Sequence, residues 1–343
     1  MISTLIELAE KKLIPDFIIR QGIRFLLKKR IQSLVSNNLE KNIQNKIKFI
    51  EKMNLSSIAE VPELANQQHY EIPAEFYNYC LGKHKKYSSC YWSEKTKNLN
   101  EAEFLSLKLT SRHAMLTNGL NILELGCGWG SLTLWMAEQY PKSKITAVSN
   151  SASQKKHIVA QAKKKNLKNI SVITEDMNKF NTKHKYDRVV SVEMIEHMRN
   201  HKKLFKKVAS WLKSDGLFFM HIFVHKTQPY LFEVQDNDDW MSQYFFSGGM
   251  MPSEDLPLFF QEDLKIIDKW SWSGVNYEKT ANAWLKNIDL NKNKVMPVLK
   301  EIYGENNSNK WFQRWRIFFM SCAELWGYDN GKEWRVAHYL FKK

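Results

Sequence analysis

The stretch that most constrains this chain is Asn121 to Leu134, N-I-L-E-L-G-C-G-W-G-S-L-T-L. Ile122, Leu123 and Leu125 are apolar, as a short buried parallel strand requires. Gly126, Gly128 and Gly130 follow at two-residue spacing, and a helix start comes after them. Glycines let the backbone take positive φ and approach a ligand with no Cβ in the way. Free N–H groups then face a pocket beyond the carboxyl end of the strand. A dinucleotide loop, G-x-G-x-x-G, would need a glycine at Ser131, so that pattern fails. Two readings remain: a ligand loop with an acid, Glu124, two positions before G-x-G-x-G, or a tight strand-to-helix turn without a ligand.

The flanking sequence alternates strands and helices. Lys144 to Val148, Ile170 to Thr174, Tyr186 to Val192 and Leu217 to Phe223 read as strands. Ser153 to Lys165 and His201 to Leu212 read as helices between them, which predicts a parallel, doubly wound sheet. Leu264 to Trp272 and Trp334 to Phe341 supply two last strands. Helices at Glu278 to Leu290 and Trp311 to Leu325 fall between those two. Upstream, residues 1 to about 65 read as helical, with Pro15 interrupting. A further helix, Asn100 to Leu116, has Asn100 as its expected N-cap and Glu103 three residues on. The N-terminal helices and the late insertion are expected to form a lid over the pocket.

Composition narrows the partners. At 343 residues and 43% hydrophobic, the chain can bury a sizeable core. A net charge of +15 favours anionic partners or a lysine-rich surface. The lysines are scattered rather than interleaved with aromatics, so nucleic acid is not expected. Cys80, Cys90, Cys127 and Cys322 have no disulfide-framework spacing, which points to a reducing, cytoplasmic setting. No apolar run is long enough to span a bilayer, and no signal-peptide pattern stands at the N-terminus. The segment Phe17 to Val35 is basic and amphipathic; it can lie on an anionic membrane or pack on its own domain.

Four more stretches belong at the pocket edge. They are Tyr87-Ser88-Ser89-Cys90-Tyr91-Trp92 with His69-Tyr70-Glu71 before it, Ser149-Asn150-Ser151-Ala152-Ser153-Gln154, Glu175-Asp176-Met177, and Val192-Glu193-Met194-Ile195-Glu196-His197-Met198. With the glycine loop they resemble class I S-adenosylmethionine-dependent methyltransferases of the cyclopropane-fatty-acyl-phospholipid synthase family. The likeness is closer to its coclaurine N-methyltransferase branch. H-K-T-x-x-Y at 225–230, D-N-D-D-W at 236–240, F-x-G-G-x-M-P-S at 246–253 and W-G-Y-x-x-G-x-E-W at 326–334 carry that closer likeness.

The resemblance implies a Rossmann-like α/β fold with a seven-stranded, mostly parallel sheet, N-terminal helices and a helical lid insertion. Its expected divisions are 1–65 for the helical extension, 66–230 for the cofactor-binding core and 231–343 for the lid and last strands. It implies S-adenosylmethionine as cofactor, held by Glu124, Gly126, Gly128 and Gly130, with Tyr87 and Ser88 closing over the methionine end. Asn150 and Gln154 would bond the ribose; Asp176 and Met177 would hold the adenine. Tyr70 and Glu71 would face a small amine, and His221, His225 and Tyr277 would lie toward the substrate. A homodimer and a peripheral membrane contact through the basic N-terminal helices are further partners to consider.

Glu193, Glu196 and His197, at i, i+3 and i+4 of a helical turn, would share a face. An acid beside a histidine makes a tunable proton acceptor. Zinc is not expected, since His197 to His201 lacks the glutamate of H-E-x-x-H. D-N-D-D-W lacks the glycine and distal glutamate of a calcium loop. Two activities remain open. One is N-methylation of an aromatic amine, with Glu196 and His197 assisting deprotonation. The other is cyclopropanation of a lipid alkene. There a bicarbonate would take the proton, held at the positions of Glu196, His221 and Tyr277, with Ser89 where that branch has a cysteine.

Overall fold

The structure is a computed structural model that describes residues 2–60, 72–233 and 239–343. Its centre is β1 (Asn121–Leu125), flanked by β2 (Lys144–Ser149) and β3 (Ile170–Thr174) on one side and by β4 (Tyr186–Val192) and β5 (Leu212–His225) on the other. These five pair in parallel. A two-stranded ribbon, β6 (Tyr230–Leu231) with β7 (Met250–Met251), stands apart from them. After it, β8 (Lys265–Trp272) and β9 (Trp334–Lys342) complete a seven-stranded sheet in the order β3-β2-β1-β4-β5-β9-β8. β9 runs antiparallel to both its neighbours.

The alternation of side chains explains why the sheet is covered on both faces. Leu123, Leu125, Val189, Phe218 and Met220 join one core; Ile122, Val190, Leu217 and Phe219 join the other. That is the two-residue period of a strand buried on both sides. The strand order reverses between β1 and β4, so a crevice opens beyond their carboxyl ends.

A third core lies in the helical cap. The N-terminal helices Ile2–Glu10 and Asp16–Leu34 contribute Ala9 and Ile19 to the cluster that holds Trp284, Trp315 and Phe319. The insertion between β8 and β9 is three helices, Val275–Leu290, Lys292–Tyr303 and Glu305–Gly327. The middle one has no counterpart in the sequence reading. Ion pairs tie the N-terminal helices to the last of them. Arg314 Nε donates to Glu10 Oε1 at 2.8 Å, and Arg316 joins Asp16 (2.5 Å) and Asp289 (2.7 Å). Arg20 and Arg24 both bind Glu324. No described helix is long and apolar enough to cross a membrane.

The helix expected from Asn100 starts earlier, as Leu99–His113, and Asn98 caps it by accepting from Glu101 N–H at 3.1 Å. Asn98 and Glu101 also bond side chain to side chain at 2.8 Å. Glu103 is thereby turned inward. Its carboxylate accepts from Gly82, His84 and Lys86 N–H groups and pins the loop before Tyr87.

Glu10 is only 4% exposed in its side chain, and Arg314, Lys310 and the Trp240 indole all meet its carboxylate. Arg314→Met removes one of the two cations and should destabilise the fold by about 1.5–3 kcal/mol, the worth of hydrogen bonds to a charged group. Urea unfolding measures it, and the paired change Glu10→Leu/Arg314→Met should recover part of the loss.

Candidate active site

The glycine loop is fixed by two bonds: Gly126 N and Cys127 N each donate to Val148 O at 3.0 Å. Gly126 has φ +74°, and a Cβ there would stand 2.4 Å from Met194 Cγ. Gly128 has φ +50°, and a Cβ there would meet nothing within 4 Å. The first glycine is required by contact with the next loop, while the second faces open space.

That space is a bent cleft. One limb is lined by Asn150, Asp176, Met177, Met194 and His197. The other is lined by Lys86, Tyr87, Ser88, Glu124 and Ser131. Gly126, Gly128, Gln154 and Glu193 line both limbs.

Donors and acceptors are placed along it. Gln154 is buried; its Oε1 accepts from Ser149 Oγ at 2.6 Å, while its Nε2 has no partner. Ser131 Oγ is likewise unpartnered. Buried polar atoms are ordinarily bonded, so these mark where a polar ligand belongs. Asp176 accepts from Asn178 N at 2.9 Å. Asn178 in turn clasps the backbone of Ala59 through bonds of 3.0 and 2.9 Å. Ala59 itself lines the cleft, so the N-terminal extension closes one wall. Tyr87 packs between Tyr77 and Trp284, with ring centroids 5.0 and 5.6 Å away. Glu124 accepts from Thr133 Oγ1, and burial pushes its carboxyl up to about 8. A cationic group in the adjoining limb would hold it ionised. An elongated cleft with a free amide, an acid, methionine walls and a glycine cradle fits an adenosyl amino acid.

The acid-rich turn after β4 departs from its sequence reading. Only Ile195–His197 forms a turn of 3₁₀ helix, and Glu193 before it has φ +47°. A left-handed backbone at a non-glycine residue costs ~1–3 kcal/mol and persists only when its surroundings enforce it. Glu193 N donates to His221 O at 2.9 Å. Its carboxylate meets Ser89 N (2.8 Å), Tyr277 Oη (2.8 Å) and His221 Nε2 (3.1 Å). Glu193, Glu196 and His197 therefore do not share a helix face. Glu193 and His197 line the cleft. Glu196 lies buried, its Oε1 accepting from Phe223 N at 2.7 Å and its Oε2 without a partner. Burial raises Glu196 well above the usual carboxylate range, and Glu193 adds to the shift. Burial also raises Glu193, opposed by Lys86, the Ser89 N–H and Tyr277. His197 is lowered to about 4 by burial, so its ring is neutral at pH 7.

The positions that would cage a bicarbonate do converge, but not as expected. His221, Tyr277 and the Ser89 backbone gather around Glu193, not Glu196, so a carboxylate of the chain occupies their donors. Cys90, next to Ser89, is buried with its thiol raised by burial.

An aromatic arc encloses the same point. His197 packs on Phe246 (4.6 Å), Phe246 on Phe223 (5.7 Å), Phe223 on Trp326 (5.4 Å), and Trp326 stacks on Tyr277 (4.7 Å, 4°). Phe223 and Lys86 escaped the sequence reading. Lys86 is buried, with Nζ donating to Ser88 Oγ and Ser89 O. A lysine inside K-H-K-K gives no sign of that. His225 is not among the cleft residues. It bonds Glu333 at 2.9 Å and accepts from Gln228 N at 2.9 Å, which commits both ring nitrogens to the end of β5. Tyr70 and Glu71 lie outside the described residues.

Comparison with known proteins shows the family of the chain. The family model for mycolic acid cyclopropane synthetase matches residues 60–332. The (S)-coclaurine N-methyltransferase of Thalictrum flavum subsp. glaucum is 36% identical over 347 residues, spanning 100% of this chain and 96% of that one. The cyclopropane-fatty-acyl-phospholipid synthase of Escherichia coli (strain K12) is 27% identical over 80% of this chain and 67% of its own. A crystal structure of coclaurine N-methyltransferase bound to N-methylheliamine and SAH superposes with a TM-score of 0.96 at 35% identity, covering 100% of this chain and 99% of that one. The chain belongs to the cyclopropane synthetase-like family of S-adenosylmethionine-dependent methyltransferases, within the group that contains the coclaurine N-methyltransferases.

Proposed function

We propose that this enzyme methylates the nitrogen of a small aromatic amine. One observation carries the reading: Glu193 and the neutral imidazole of His197 stand together on the cofactor cleft, at the ends of an aromatic arc. The names of relatives support it: (S)-coclaurine N-methyltransferase and pavine N-methyltransferase are both among them.

S-adenosylmethionine, when bound, supplies an electrophilic methyl group on a sulfonium. Gln154 Nε2 and Asn150 suit the ribose hydroxyls, Asp176 the adenine amino group, and Glu124 the ammonium end. Around the acceptor, the arc of Phe246, Phe223, Trp326 and Tyr277 receives a flat ring and excludes water. Its π faces, with the Glu193 carboxylate, attract an ammonium. An alkylammonium has no lone pair, and freeing it at pH 7 costs roughly 4–5 kcal/mol, taking a pKa of about 10.4. His197, neutral and on the cleft, takes that proton; a positioned base contributes ~10²–10⁴-fold. Glu193, bonded on three sides, holds the amine rather than turning with the proton. Glu196, whose carboxyl burial raises, lies buried in the turn and acts through its bond to Phe223 N. A bicarbonate has no need of this site, because its donors already bind Glu193.

Two measurements test these assignments. Gly128→Val should abolish S-adenosylmethionine binding in calorimetry, because the side chain would enter the cleft, and should lower stability by ~1–3 kcal/mol, because φ +50° strains a β-branched residue. The pH profile tests the base. His197 is neutral above about 4, so wild-type kcat/KM toward the ammonium form should stay nearly flat from about pH 6 to 9. His197→Ala must draw on the rare neutral amine in solution. Its kcat/KM should rise about tenfold per pH unit below the amine pKa of about 10.4. Equal profiles would remove His197 from the chemistry.

A further inference from the structure

Lys86 is a buried lysine at the centre of the site that the proposed mechanism leaves without a task. It is 3% exposed and lines the limb of the cleft that also holds Glu193. Its Nζ donates to Ser88 Oγ at 2.5 Å and to Ser89 O at 2.6 Å. Glu103 pins the segment from behind through the N–H groups of Gly82, His84 and Lys86. One residue, Ser89, joins Lys86 to Glu193. Its carbonyl accepts from Lys86, and its N–H donates to Glu193 Oε1 at 2.8 Å. Burying an ammonium is costly unless opposite charge lies near it. Glu193 supplies that charge on the cleft side.

We infer that Lys86 is a positioning residue for charge: it keeps Glu193 ionised, and so makes the site select a cationic amine. The inference rests on the proposed amine methylation, in which Glu193 holds the ammonium.

The groups that face Glu193 from each side leave Lys86 as its cation. On its own turn stand Glu196, whose carboxyl burial raises, and His197, lowered by burial to about 4 and neutral at pH 7. From β5 comes His221, which burial lowers well below the usual histidine range, so it is neutral as well. Helix Val275–Leu290 brings the Tyr277 hydroxyl and helix Glu305–Gly327 the Cys322 thiol, both raised by burial and uncharged. The segment after Lys86 brings the Ser89 N–H and the Cys90 thiol, also raised by burial. Burial raises Glu193, and Lys86 opposes that rise ahead of the Ser89 and Tyr277 bonds. Glu196 is the contrast three residues away. It has the Phe223 N–H, no cation acts on it, and the Glu193 charge pushes it further up.

Removing the cation moves the Glu193 titration upward. The carboxyl is then protonated in the lower part of the pH range, ammonium capture fails there, and it returns as pH rises. His197 is neutral across that range, so the base is not what titrates.

The test compares wild type, Lys86→Met, Lys86→Gln and Lys86→Met/Glu193→Gln. The assay uses saturating S-adenosylmethionine and a benzylic or phenethyl amine that wild type methylates, from pH 6 to 9. Methionine keeps the length of the stem without charge. Glutamine also keeps an N–H donor for the serine oxygens, so it separates charge from hydrogen bonding and guards against a folding loss in Lys86→Met. Both single variants should lose at least about tenfold in kcat/KM at pH 6, the effect of one pK unit, mainly through KM. Both should recover toward wild type by pH 9. Infrared spectra of the ligand-free proteins read the charge without turnover. Lys86→Met should show a protonated-carboxyl band at pH 6 that fades by pH 9 and that the double variant lacks. The double variant is needed because Glu103, pushed up by burial to about 7, titrates nearby. The same band in both proteins would assign the titration to Glu103 and overturn the inference. An equal loss of kcat/KM at every pH, or a loss of cofactor affinity alone in calorimetry, would also overturn it and leave amine methylation standing. A wild type that methylates no amine would remove the proposed function, while the infrared band would still decide whether Lys86 governs Glu193.

Discussion

Gly126 and Met194 are the point at which two loops touch, and the site depends on that contact. Any Cβ at Gly126 would meet the Met194 side chain, at 2.4 Å from Cγ. The cofactor loop after β1 and the acid turn after β4 are thus packed on each other without slack. Both loops start from adjacent parallel strands at the switch point of the sheet, with Leu125 level with Ser191. The glycine that opens the cofactor loop also lets the acid-bearing turn close in. A methyl donor and a proton acceptor must be held together to a fraction of an ångström, and this packing supplies the rigidity.

The positive φ of Glu193 is the second constraint. It turns the side chain out of the helical turn and toward Ser89, Tyr277 and His221. The strain is held by four hydrogen bonds, one to the backbone N–H and three to the carboxylate. A donor cage filled by its own glutamate presents a fixed negative charge, which suits a cation. The three-donor set around Glu193 therefore bears on substrate charge more than on the methyl transfer itself.

Much of the sheet was legible in the sequence. β3 and β4 fall at the bounds that buried apolar runs and their polar breaks indicate, because parallel strands buried on both faces leave a strong pattern. The cleft lining of Gly126, Gly128, Asn150, Gln154, Asp176 and Met177 was legible because each follows a strand end. Tertiary effects hid the rest. The spacing of Glu193, Glu196 and His197 suggests one helical face, and only the left-handed residue breaks it. Asn98 rather than Asn100 caps its helix because Glu103 is drawn away by three backbone N–H groups of another loop.

The basic N-terminal helices show how charge read from sequence can be redirected by folding. Arg20 and Arg24 look like half of a membrane-facing stripe, yet both bind Glu324 on helix Glu305–Gly327. That helix also carries Trp326 of the aromatic arc, and its neighbour Val275–Leu290 carries Tyr277. Ala9 and Ile19 share a hydrophobic core with both helices. The N-terminal extension and the insertion are therefore one cap, though some 240 residues separate them in the chain. Because the arc and one donor to Glu193 hang from this cap, loosening the extension would reach the site through Tyr277 and Trp326. Ala59 does the same on the opposite wall, where Asn178 holds it beside Asp176. The segment least decipherable by motif thus sets how tightly the cleft is closed at both ends.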